Sequence, residues 1–154
     1  VMTDAAGEKL PPPPDPVFAL AERVMQAHDA HCAACEALNP PEAAFIEWRK
    51  NNPAPGNKAA MVRWRRRERA ARRRTGLAKA DTNQGAACQA ARDAMETLRD
   101  TVPQTLAGLA AKARAWRYLE NDIPDQADEL VYSLANDIRV MAGDRPRRER
   151  PEAE

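Results

Sequence analysis

The chain has 154 residues, with 24 Lys and Arg against 23 Asp and Glu, for a formal charge of +1. Leu, Ile, Val and Phe supply only 22 residues, and alanine carries much of the 44% hydrophobic share; this excludes a large aliphatic core and favours close-packed helices around a thin one. No run reaches the roughly 18 apolar residues of a membrane span, no basic-then-apolar leader opens the chain, and three cysteines, an odd number, are expected to stay free thiols in a reducing cytoplasm.

Val1-Met2 reads as an alternative start followed by a second start. Residues 1–14 end in four prolines and are expected to form a disordered leader. Asp15-Pro16 reads as N-cap and first helical position. Val17, Ala21, Val24, His28, Cys32 and Cys35 then recur at three- and four-residue steps, which predicts an amphipathic helix over 16–38. Pro40-Pro41 is expected to stop it, because a proline inside a helix costs roughly 3 kcal/mol. A short helix follows in PEAAFIEWRKN, with Phe45 and Trp48 on one side, before the loop NPAPG.

A basic helix is predicted over 57–75, closed by Thr75-Gly76 with glycine beyond the last turn. Asp81 and Gln84 resemble a capping box. Cys88, Ala91, Met95, Leu98 and Val102 then form a coiled-coil-like seam over about 80–102, suited to pairing with a second copy. Pro103 breaks this helix, and Thr105 caps the next, whose stripe is Leu106, Leu109, Ala113 and Trp116. Asp125 caps a last helix carrying Leu130, Val131, Leu134, Ile138 and Met141, ended by Gly143. The charged tail 144–154 is expected to be disordered. The fold expected is all-α: a small antiparallel helical bundle over 15–143, formed by 16–38, 80–102, 105–120 and 125–142. It has an appended basic helix and disordered N- and C-terminal tails.

Three segments carry a family resemblance: the Asp15-Pro16-Val17-Phe18 start with Ala27-His28, the run GLAKADTNQGAACQAARDAMETL, and TVPQTLAGLAAKARAW. They resemble an uncharacterised family of small Ala-rich helical proteins common in alphaproteobacterial genomes. That family shows a DPIF start, a GL…AACDAE helix and a PTTLAGxxA helix start. The resemblance covers roughly 15–38 and 76–142 and omits most of the basic helix. Gln104 stands where a threonine is usual. No activity is assigned to the family, so the resemblance implies a helical fold and nothing about chemistry.

No catalytic constellation is visible: there are two histidines, no glycine-rich phosphate loop and no metal set, so a non-enzymatic binding protein with no cofactor is expected. His28, Cys32 and Cys35 share a helix face, with His31 beside it. Structural zinc sites draw on two ligand pairs, usually shaped by turns, so a packed apolar stripe explains these residues better. TLAGLAAKARAW resembles the first helix of a helix-turn-helix, but Arg114 stands where a glycine would allow the turn.

The arginines remain. Lys58 to Arg74 holds nine basic residues and one acid, a charge of +8, which leaves −7 for the rest. Arg63, Arg65, Arg66, Arg67, Arg69, Arg72, Arg73 and Arg74 are expected to bind the phosphate backbone of RNA or DNA, with Trp64 stacking on a base or sugar. The alternative is pairing with an acidic protein or with this chain's own acids, Glu120, Asp122, Asp125, Asp128, Glu129 and Asp137, in a homodimer for example. A solvated charged face is the third reading.

Overall fold

The computed structural model describes residues 14–119 and 127–143. The expected tail, Asp125 and all of the leader except Pro14 lie outside them. Five helices and no strand are present among the described residues: α1 (Val17–Asn51), α2 (Lys58–Arg74), α3 (Leu77–Asp100), α4 (Leu106–Leu119) and α5 (Ala127–Met141). The fold is an all-α helical bundle. It divides into two compact units, Val24–Met95 and Val1–Arg23 with Glu96–Glu154.

In the Val24–Met95 unit, α1 does not stop at Pro40-Pro41. It runs unbroken to Asn51 and absorbs the expected short helix. The prolines remove two backbone donors, but the inward stripe keeps its three- and four-residue steps past them through Leu38, Pro41, Phe45 and Trp48. Phe45, Ala71 and Leu77 are buried together, with Leu38 and Trp48 packed against them. Burying apolar side chains contributes about 1.5–3 kcal/mol each, enough in sum to hold the helix through its weak point. As α1 is read backwards from Asn52 to Cys35, its partners ascend from Trp64 through Glu68, Arg72 and Leu77 to Gln84. Both α2 and α3 therefore run antiparallel to α1.

Gly76, at φ 82°, makes the left-handed turn between α2 and α3. Helix α3 starts at once, at Leu77, because that side chain is pulled into the Phe45–Ala71 cluster. Asp81 and Gln84 are thus helix-interior residues and form no capping box. Asp81 pairs with Arg72, and the Gln84 amide donates to Cys35 Sγ at 3.8 Å. Ala91, Ala94 and Leu98 are buried inside the single chain, whereas Val102 lies beyond the helix end and is exposed. Of the seam expected to pair with a second copy, Ala91 and Leu98 are therefore already covered, while Cys88 and Met95 are half-buried.

In the other unit, buried charges act as helix caps. One Asp15 oxygen accepts the Val17 N–H at 3.1 Å and caps α1, as the Asp-Pro start predicts. The other accepts the backbone N–H groups of Gln104 and Thr105 and the Thr105 hydroxyl, each at 2.9 Å, at the start of α4. Thr105 Oγ1 in turn accepts the Gly108 N–H at 2.9 Å, the expected cap. A Cβ at Gly108 would fall 2.6 Å from the Asp15 Cγ, so only glycine leaves room for this carboxylate.

The buried face of α4 is Gly108, Ala111, Lys112, Ala115, Trp116 and Leu119, rotated from the expected stripe; Leu106 is 78% exposed. Lys112 causes the rotation. Its fully buried ammonium donates to the carbonyls of Arg99 (2.8 Å) and Thr101 (3.0 Å), where α3 ends. It also lies 2.7 Å from Asp137 Oδ2 on α5, off the hydrogen-bond direction, so that contact is an ion pair. Helix α5 turns Asp137 inward and leaves Val131 and Ile138, both expected in its apolar stripe, exposed. Gly143, at φ 88°, ends it.

Burial pushes the Asp15 carboxyl up, but hydrogen bonds from Val17, Thr105 and Gln104 outweigh it and hold its pKa below the ordinary 3.8. A lowered folded-state pKa adds stability above the unfolded value and loses it as pH falls through the folded one. Asp15→Asn should therefore lower the thermal midpoint at neutral pH, and its gap to the unmodified protein should close below about pH 3.8. Thermal unfolding across pH measures this; a pH-independent gap would refute the double cap.

Candidate nucleic-acid interface

The sequence of α2 alone suggests a helix basic on nearly every side. The folded chain separates its faces. Met61, Trp64, Glu68 and Ala71 turn towards α1 at steps of three, four and three, with Trp64 and Ala71 buried. Trp64 tilts against Trp48 at 6.2 Å, and Trp48 stacks on Phe45 at 5.9 Å. The Trp64 indole N–H donates to the Asn52 carbonyl at 2.8 Å. Asn57 caps the helix, accepting the Ala60 N–H at 2.8 Å. The basic helix is therefore one arm of the core of this unit, not an appendage.

This docking withdraws Trp64 from the expected binding set. Its ring is buried among aromatics and its one polar atom is used, so it offers no face to a base. Glu68, the sole acid of α2, is also turned in and pairs with Arg49 of α1 at 3.7 Å. The outward surface thus carries basic charge without its only internal counter-charge.

All eight arginines are exposed. Two are anchored at the edges of the docked face. Arg67 donates to Asn52 Oδ1 at 2.7 Å. Arg72 pairs with Asp81, its guanidinium 5.9 Å from the Phe45 ring centroid. The other six, Arg63, Arg65, Arg66, Arg69, Arg73 and Arg74, form no ion pair among the described residues. At 3.6 residues per turn, Arg66, Arg69 and Arg73 make an outer row opposite the docked face. Arg63 and Arg74 flank it on one side and Arg65 on the other.

Of the acids expected to meet this surface, Asp137 is committed to Lys112. Glu120, Asp122, Asp125 and the Asp128 side chain lie outside the described residues, and Glu129 is exposed. His28 Nε2 sits 3.6 Å from Cys32 Sγ, and His31 Nε2 sits 3.7 Å from Cys35 Sγ. No group of three His, Cys, Asp or Glu residues among those described is arranged to hold a metal. Helix α4 passes through Arg114 without a turn, so TLAGLAAKARAW is no helix-turn-helix. No described helix is long and apolar enough to cross a membrane.

Asn52 and Asn57, which anchor α2 and Arg67, were not singled out by sequence, and Asp81 was read as part of a capping box rather than as the partner of Arg72. The signal available for the first two was the step pattern 57, 61, 64, 68, 71, hidden by the arginines between. No protein-family model, curated protein or solved structure matches the chain.

Trp64→Ala should cost about 3–5 kcal/mol by loss of a buried aromatic, whereas Arg69→Ala should stay within about 0.5 kcal/mol. Urea unfolding distinguishes them; equal effects would contradict the docked seam.

Proposed function

We propose that this protein is a non-enzymatic accessory factor that binds the phosphate backbone of nucleic acid through α2. The observation that carries this reading is the outward face of the helix. Six exposed arginines there have no acidic partner among the described residues, while Glu68 is turned inward. Clustered arginines displace condensed counterions from phosphates, and guanidinium is suited to bidentate phosphate binding. Binding would be largely independent of sequence, since α2 has no Asn or Gln to read adenine edges. The role would put the protein in the cytoplasm, whose reducing thiol pool suits Cys32, Cys35 and Cys88, none of which is in a disulfide among the described residues.

The second reading is a protein-interaction module in which these arginines meet an acidic partner or a second copy. The Arg72–Asp81 pair supports it, since it is a carboxylate contact on this helix.

The test is affinity for nucleic acid across salt, for the unmodified chain and for the combined Arg66→Glu, Arg69→Glu and Arg73→Glu variant. The outer row makes no intramolecular pair among the described residues, so the variant should keep its fold. The slope of log affinity against log salt should become shallower by about 3, close to one for each arginine–phosphate pairing removed. No binding at low salt, or an unchanged slope, would overturn the reading. Loss of a dimer in the variant would favour the protein-interaction reading.

A further inference from the structure

Resting on the phosphate-binding reading, we infer that the ligand of α2 is B-form duplex DNA, with the helix lying in the major groove. Three features of the face carry this.

The first is its lack of aromatic rings. Single-strand binders stack successive bases on exposed aromatics, in addition to contacting phosphates. Here Trp64 and Phe45 are buried, Trp48 is half-buried between them, and the large apolar side chain that α2 exposes is Val62. The face has charge and no stacking platform.

The second is that the helix is formed without a ligand. Arginine-rich segments that fold around RNA start unstructured. Helix α2 is capped by Asn57, closed by Thr75 and Gly76, and fastened along its length by Trp64, Glu68 and Ala71. It is a rod of 17 residues, about 25 Å long at 1.5 Å per residue.

The third is the arrangement in rows. A helix with its side chains is about 10–12 Å across, and the B-DNA major groove is about 12 Å wide. With the docked face towards α1, the outer row of Arg66, Arg69 and Arg73 enters the groove, flanked by Arg63 and Arg74 on one side and Arg65 on the other. From there the long guanidinium side chains reach the phosphates along both edges of the groove. The A-form RNA major groove is too deep and narrow for side chains to read, so it gives these rows no matching site.

Fluorescence anisotropy at one fixed salt compares the full chain on a duplex DNA of about 20 base pairs, a duplex RNA of the same sequence and either DNA strand alone. Duplex DNA should bind on the order of tenfold more tightly than the other two. The major-groove ligand methyl green should compete, and the minor-groove ligand netropsin should not. Binding to duplex RNA or single strands as tight as to duplex DNA would overturn the duplex assignment while leaving phosphate binding intact. Competition by netropsin alone would overturn the groove assignment. No binding to any of the three would overturn the phosphate-binding reading itself.

Discussion

The docking of Trp64 and Ala71 against the Phe45–Trp48 side of α1 decides where every arginine of α2 points. A segment with this density of like charge has little reason to be helical alone, because neighbouring guanidinium groups repel and most helix stability comes from packing. The three aromatic rings of the Val24–Met95 unit are concentrated in that one interface. Phe45, Trp48, Trp64, Ala71 and Leu77 form it with Leu38. Once those positions face inward, the remaining positions of α2 face outward, and all eight of its arginines are among them. Charge display and core formation are thus one event, and the inward turn of Glu68 towards Arg49 follows from the same register.

The other unit solves a related problem, the scarcity of aliphatic side chains, with buried charge. Asp15 joins the starts of α1 and α4, and Lys112 joins the end of α3 to α5 through Asp137. Each charged group is desolvated, so each is stabilising only because helix-terminal N–H or C=O groups surround it. Backbone N–H groups converge on the carboxylate and carbonyls on the ammonium, as helix-end polarity favours. Gly108 is the steric condition of the first of these.

Much of this was legible in the residues. Asp15-Pro16, Thr105, Gly76 and Gly143 announced their roles because capping and left-handed turns are local chemistry. The end of α2 followed from Gly76 for the same reason. What could not be read depends on tertiary contact. Pro40-Pro41 looks like a stop until the packing of Phe45 and Trp48 outweighs it. Lys112 looks like a surface residue until Asp137 and two carbonyls enclose it, which rotates the buried face of α4 away from Leu106. At the site, the identity of the arginines was plain, but Trp64 was assigned to the ligand. Nothing local distinguishes an aromatic that faces a base from one that faces Trp48.

The central claim is that α2 is a docked, preformed rod before any ligand arrives, and hydrogen exchange of the free full-length chain tests it most directly. With salt high enough to suppress phosphate binding, amides of Val62 to Arg74 should exchange slowly, with protection comparable to residues 42–50 of α1 against which they pack. Exchange there as fast as in an unstructured peptide, with protection gained only when nucleic acid is added, would contradict the account.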